Sequence, residues 1–371
     1  MLQSLKHKAQ LTGLIGIALL FASFFCIRQF TPLNAMHWLL FAGSAWAYVW
    51  WQLWQGLDLN RTSAQNALYP TLGLANYLSI LRGGLIAATS GFLLQPPTTE
   101  LAAWIPGMLY TLAAILDRID GFVARRSKRT SLLGSKLDTT YDALGLLIAP
   151  LLALNYGKVH WSFLLVSVAY YFFCWGLYWR RTHNLPVYPL LPSQLRRTLA
   201  GFQMGCVALL LLPCFHPLFT TTVALVFMLP ILLGFVVDWL VVTGRITTPV
   251  YTRIFLHDLA SYNSIIFQPI ARAVLCIAVL LLVNDNYFSG TTTMYFALIA
   301  TAMVFLGFAG RIGAIAILLL TGLMQGDNMI NTLVLVLIVC STSVMLLGTG
   351  RFSLWKWDDR WINRRDGEEA E

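Results

Sequence analysis

Residues Asp117 to Asp142 read D-R-I-D-G-F-V-A-R-R-S-K-R-T-S-L-L-G-S-K-L-D-T-T-Y-D, a polar window in an apolar neighbourhood. The chain has twelve Asp, and four of them (Asp117, Asp120, Asp138, Asp142) fall here. A carboxylate inside a bilayer costs about 3 kcal/mol or more unless it is paired or wetted, so such a cluster beside apolar helices marks a functional site. Asp117 and Asp120 lie on one helical face, with Gly121 and Ala124 each one turn further on. Gly134, Asp138 and Asp142 recur every four residues and share a face of a second helix. Two antiparallel helices joined by the basic turn Arg126 to Ser131 bring both carboxylate pairs together. Carboxylates that close repel one another and are tolerable only around cations, and all-oxygen ligands suit Mg²⁺ or Mn²⁺. The small residues Gly121, Ala124 and Gly134 leave room for a ligand against the backbone, and Arg125 offers a fork for phosphate. A solvated polar loop would need neither helix-phased acids nor small residues on both sides.

The window resembles the CDP-alcohol phosphatidyltransferase family, whose signature is D-x2-D-G-x2-A-R-x8-G-x3-D-x3-D. Here it is carried by Asp117, Asp120, Gly121, Ala124, Arg125, Gly134, Asp138 and Asp142, every specified position at its spacing. The resemblance implies a six-helix core, two divalent metal ions at the cytosolic membrane face and CMP as leaving group. It implies Asp117, Asp120 and Asp138 as metal ligands, with Asp142 as the base for the acceptor hydroxyl and a further metal contact. Gly121, Ala124, Arg125 and Gly134 would line the cytidine diphosphate. A second stretch, A-N-Y-L-S-I-L-R from Ala75 to Arg82, is similar to the family's P-N-x-L-T-x-x-R, with Asn76, Ser79 and Arg82 in matching places and Ala75 and Ser79 replacing Pro and Thr. It implies that these three also meet the CDP moiety. Arg82 sits in an apolar helix and needs a partner, which a nucleotide diphosphate or a core Asp can supply.

Composition sets the class. The chain has 371 residues, 58% apolar and 11% charged, with mean hydropathy +0.69. Soluble domains are about a quarter charged, so this is an all-α polytopic membrane protein. Its formal charge of +9 is spread over membrane-flanking loops, which fits anionic lipid rather than nucleic acid. Six Cys (Cys26, Cys174, Cys206, Cys214, Cys276, Cys340) carry no C-x-x-C spacing and read as buried small hydrophobes.

Hydropathy predicts twelve spans. Two N-terminal spans, Leu11 to Cys26 and Met36 to Trp54, fill residues 1–56; the first is read as a retained anchor rather than a signal peptide. Residues 57–243 are the core. It opens with Leu57 to Leu68, whose interleaved polar and apolar residues predict an amphipathic helix in the interface. Six spans follow: Leu72 to Leu94, Leu101 to Leu116, Leu137 to Leu154, Trp161 to Trp179, Leu199 to Leu212 and Phe219 to Val242. A polar cytosolic linker, 244–263, leads to four more spans in 264–355: Ile265 to Val283, Thr292 to Gly307, Ile312 to Met324 and Ile330 to Leu347. This region resembles the four-helix DoxX family through F-L-G-F-A-G-R-I-G-A-I-A (Phe305 to Ala316) and L-L-G-T-G-R-F-S-L-W (Leu346 to Trp355). Its intramembrane cations, Arg272 and Arg311, are expected to snorkel to the cytosolic face. Residues 356–371 are a charged cytosolic tail.

With twelve spans and the N-terminus inside, the outer loops hold only Arg28 and Lys158, while the other loop and tail cations lie inside. That asymmetry puts the N-terminus and the Asp window in the cytosol, at the plasma (inner) membrane. Arg180, Arg181, Arg196 and Arg197 crowd the inner ends of the fourth and fifth core spans, where they either anchor the helices or bind a phosphorylated acceptor. The expected activity is transfer of a phosphatidyl group from CDP-diacylglycerol or a related CDP-alcohol to a soluble or lipid alcohol, with two Mg²⁺ or Mn²⁺ ions. A homodimer is left open. A transporter would carry its acids near the bilayer midplane in broken helices, and a non-catalytic scaffold would be expected to lose one of the four Asp.

Overall fold

Capping side chains start several of the apolar runs as helices. Asn34, Thr99, Ser131, His216 and Asn331 each accept a hydrogen bond from a backbone N–H in the first turn of the helix they precede. The computed structural model describes residues 1–127, 129–190, 194–247, 262–326, 329–350 and 352–355. Among these the chain is helical, and its one strand-like pairing is an isolated bridge between Phe308 and Trp355. Twelve α-helices are described: α1 (Leu2–Phe30), α2 (Ala35–Gln55), α3 (Leu74–Ser90), α4 (Glu100–Arg126), α5 (Leu132–Asn155), α6 (Leu164–Thr182), α7 (Gln194–Leu211), α8 (Pro217–Val242), α9 (Gln268–Asn284), α10 (Thr291–Leu306), α11 (Gly310–Met324) and α12 (Thr332–Leu347). Among the described residues five segments are long and apolar enough to cross a membrane: Leu2–Phe30, Leu132–Asn155, Trp161–Thr182, Pro217–Val242 and Asn263–Asn284. The chain is an integral membrane protein. Most of the expected linker and the whole 356–371 tail lie outside the described residues.

The helices group into two compact units. The first comprises Met1–Ser167 and Met204–Pro213, the second Val168–Gln203 and Cys214–Glu371. In the first unit α3 is the central element and packs on α2, α4 and α5. Its apolar partners include Val49, Leu53, Leu133 and Leu137, all buried. Tyr141 on α5 is fully buried and donates its hydroxyl to the Val49 carbonyl of α2 at 2.9 Å. α1 accepts the tryptophans of α2 in notches left by glycine: a Cβ on Gly13 would sit 2.6 Å from Trp50 Nε1, and that indole donates to the Ala9 carbonyl at 2.8 Å.

Three expectations need correction. Leu57 to Leu68 is not an amphipathic helix but a single 3-10 turn, Leu57–Leu59, followed by irregular chain. Asn60, fully buried, is the reason. Its Nδ2 donates to the Thr71 carbonyl at 3.0 Å and its own carbonyl accepts from Tyr69 N–H at 2.8 Å, while Arg61 O accepts from Leu132 N–H at 2.9 Å. Short polar side chains that bond nearby backbone compete with helix, and here they win. Among the described residues no disulfide forms, as expected, but Cys26, Cys174 and Cys214 are exposed rather than buried.

The third correction concerns Arg272 and Arg311, which are 6% and 3% exposed and do not snorkel. In the second unit α9 packs on α10 and α12, and α11 on α10 and α12. Each of these helices ends with carbonyls that have no intrahelical partner, and lipid offers no donor. Arg272 supplies donors: Nε to Val304 O at 2.9 Å, Nη1 to Thr349 O at 2.9 Å, and Nη2 to Phe305 O. Arg311 Nη1 donates to Met345 O at 2.8 Å and Leu346 O at 3.1 Å, and Gln268 Nε2 donates to Leu347 O. The ends of α10 and α12 are thus capped by side chains from α9 and α11. Leaving buried carbonyls unpaired costs about 1–3 kcal/mol each. Arg272→Leu should therefore destabilise the chain by at least about 3 kcal/mol in detergent unfolding, whereas Arg28→Ala, on the exposed last turn of α1, should change it by less than about 0.5 kcal/mol.

Candidate active site and metal centre

The four Asp are placed by helix phasing on two elements of the first unit. Asp117 and Asp120 lie two to three turns before the end of α4, whose chain turns back through Ser127, with Ser127 N–H on Val123 O and Arg129 N–H on Ala124 O. Ser131 then caps α5 by accepting from Gly134 N–H at 3.0 Å, which sets Gly134, Asp138 and Asp142 on successive turns. One carboxylate oxygen from each of Asp117, Asp120 and Asp138 falls within 4.8 Å of the others. Asp120 is buried, Asp117 partly so, and the Asp138 side chain is 50% exposed, so the cluster opens on the Asp138 side.

A third helix completes the site. Arg82 of α3 is fully buried, and its guanidinium is set among all four carboxylates. Nη1 bonds Asp117 Oδ1 and lies 3.9 Å from Asp120 Oδ2. Nη2 donates to Asp138 Oδ1 at 3.1 Å and to the Asp138 carbonyl at 3.2 Å, and lies 3.2 Å from Asp142 Oδ1. Of the two partners open to Arg82 from sequence, the structure supplies the Asp side chains. One turn earlier, Ser79 Oγ donates to Asp120 Oδ2 at 2.7 Å. Asn76, another turn earlier, donates through Nδ2 to Leu72 O at 2.7 Å, Asn60 Oδ1 at 3.3 Å and Ser131 Oγ at 3.4 Å. The α3 positions read from sequence therefore form a ladder along the α4–α5 pair: Asn76 beside the α5 cap, Ser79 on Asp120, Arg82 at the centre.

The small-residue positions behave as gaps. A Cβ on Gly134 would lie 2.8 Å from Asn76 Oδ1, and one on Gly121 would lie 3.3 Å from Arg125 Nη1. Arg125 folds back over the Gly121 face of its own helix, with Ala124 beside it. Asn60, Ser131 and Tyr110 were not singled out in the sequence. Asn60 and Ser131 tie Asn76 in place, and the Tyr110 hydroxyl of α4 is fully buried without a hydrogen-bond partner. No local spacing rule identifies them, because each acts through residues distant in the chain.

The basic residues expected at an acceptor belong to the second unit. Arg180 donates through Nε and Nη2 to Pro186 O at 3.2 and 2.7 Å, and Arg196 pairs with Asp238 of α8 at 2.6 Å. Arg181 is exposed, and the Arg197 side chain lies outside the described residues.

Residues 72–233, from the start of α3 into α8, match the family model of the CDP-alcohol phosphatidyltransferases. The chain carries a CDP-alcohol phosphatidyltransferase domain. Members of that family are transferases of substituted phosphate groups that act in phospholipid biosynthesis in the membrane and use divalent metal ions. No curated protein and no solved structure matches the chain. The Asp117, Asp120 and Asp138 carboxylates offer hard oxygen donors of the kind that such an ion takes.

The Gly134 gap makes a prediction. Alanine is the better helix former by about 1 kcal/mol, but Asn76 is pinned by its three bonds and cannot yield to a Cβ 2.8 Å away. Gly134→Ala should lower the melting temperature. In the Gly134→Ala/Asn76→Ala double variant the loss should be smaller than the sum of the two single losses.

Proposed function

We propose that this transferase moves a phosphatidyl group from CDP-diacylglycerol to an acceptor hydroxyl and releases CMP. The observation that supports the reading most is the convergence of Asp117, Asp120 and Asp138 on one point, with Asp142 one turn further along α5. Asp117, Asp120 and Asp138, with a contribution from Asp142, would hold two Mg²⁺ or Mn²⁺ ions. When bound, such ions neutralise the diphosphate and the charge developing on the departing CMP. Asp142 takes the proton of the acceptor hydroxyl, whose oxygen attacks the phosphorus that carries the lipid alcohol. Gly121, Ala124 and Gly134 leave backbone accessible to cytidine diphosphate, and Arg125 offers it a guanidinium. Asn76 and Ser79 act on this surface chiefly by fixing the α5 cap and Asp120.

The strong excess of Lys and Arg in one set of loops supports a cytosolic N-terminus and a cytosolic Asp site in the plasma membrane. The last four helices form a bundle whose ends are capped from within, as a DoxX-like module would need. We read the acceptor as a phosphorylated alcohol met by basic residues of the 180–197 region. Since Arg180 and Arg196 are engaged with Pro186 and Asp238, the exposed Arg181 is a candidate for direct contact.

Release of CMP from CDP-diacylglycerol by the purified full chain tests this reading. Activity should need Mg²⁺ or Mn²⁺ and vanish in Asp117→Asn and Asp138→Asn; undiminished turnover of either variant in excess EDTA would sink the metal assignment. Among acceptors, phosphorylated alcohols should outrun serine and neutral polyols. Asp142→Asn should lose about 10²–10⁴-fold in kcat while still binding CDP-diacylglycerol, because a general base serves the acceptor and not the donor. If that variant fails to bind donor or metal instead, Asp142 is chiefly a ligand.

A further inference from the structure

The bonds of Arg82 fall on the same carboxylates that a metal ion would take. Its two terminal nitrogens are bonded to, or within 3.9 Å of, carboxylate oxygens of Asp117, Asp120, Asp138 and Asp142. Three of those residues are the ones whose oxygens converge within 4.8 Å. A guanidinium and a dication cannot share that space without strong mutual repulsion, because both are positive and the surroundings are buried. Nor is the guanidinium fully satisfied where it lies. Arg82 Nε is buried and has no hydrogen-bond partner, and Asp142 Oδ1, though 3.2 Å from Nη2, makes no bond of good geometry. A buried donor left unpaired marks an arrangement held for its charge rather than for its fit.

We propose that Arg82 is an exchangeable internal counter-ion. In the metal-free protein it holds α4 and α5 together across their four carboxylates. When divalent ions bind, it withdraws from Asp117 and Asp138 and surrenders their oxygens. The inference rests on the proposed metal role of Asp117, Asp120 and Asp138, and it adds a competition built into the site. The latched form is not competent to bind metal, so the apparent metal affinity is lowered by the fraction of molecules in which Arg82 is released. The latch keeps the acidic site assembled in the membrane, where four carboxylates with no cation would drive the helices apart. It also makes the site respond to divalent-ion concentration over a higher range than its carboxylates alone would set.

The test is Mn²⁺ binding to the full chain in detergent, read by the electron paramagnetic resonance signal of free Mn²⁺ and by melting temperature with and without the ion. Arg82→Gln removes the cation and keeps a side chain of similar reach. Its melting temperature in chelator should fall below that of the wild type. Its Mn²⁺ affinity should rise by about tenfold or more, and its melting temperature should climb further on Mn²⁺ addition. Arg82→Lys, which keeps the charge but loses the fork that spans α4 and α5, should fall between the two in affinity; it serves as the reference if Arg82→Gln is not monodisperse. Equal or weaker Mn²⁺ binding in the variants, with clear binding by the wild type, would overturn the latch and leave the metal site standing. No Mn²⁺ binding by the wild type, with none regained in either variant, would overturn both.

Discussion

A single guanidinium set among four carboxylates governs the first unit. Arg82 comes from α3, Asp117 and Asp120 from α4, Asp138 and Asp142 from α5, so one cluster of charges joins three helices whose other faces are apolar. Without a cation the acids would repel the helices apart; with only one, the cluster stays three charges short of neutrality within its own set. The structure is therefore braced from several sides. Ser79 donates to the most buried acid, Asp120, and Tyr141, between the two α5 acids, anchors that helix to α2. Asn76 and Asn60 fasten the cap from which α5 starts. The charge deficit suits the site to additional cations.

The second unit solves a different problem with the same residue type. Its buried arginines donate to the carbonyl ends of α10 and α12. In a medium without water, a helix that stops inside the bundle must find donors elsewhere, and a guanidinium with five N–H groups can supply several at once. Arg82 stands in a ring of negative charge and can be displaced by other cations. Arg272 bonds carbonyl dipoles that no soluble ion would take over, which makes it a fixed part of the frame.

Much of this was legible in the sequence. Helix phasing in the Asp117 to Asp142 window set two pairs of acids on two faces, and those pairs do meet. The hydropathy runs of α3 to α12 correspond to helices within a few residues at most ends. What escaped was whatever depended on contacts between distant segments. Leu57 to Leu68 has helical amphipathicity, yet Asn60 spends its side chain on Thr71 and turns the chain instead. Arg272 looked like a snorkelling cation because the sequence does not reveal which carbonyls α10 and α12 leave unpaired. Arg82 was open between substrate and Asp for the same reason: its partners lie 35 to 60 residues away in sequence. Arg180 and Arg196 were open between helix anchoring and acceptor binding, because sequence does not reveal that Pro186 and Asp238 lie beside them.

Phosphorus NMR of CDP-diacylglycerol turnover by the purified full chain tests the central claim most directly. With Mg²⁺ and a suitable alcohol, the diphosphate resonances should disappear while CMP and a new phosphodiester grow in equal amounts, and chelation should stop all three changes together. Diphosphate that persists with every acceptor and metal, or that yields CDP instead of CMP, would contradict the account.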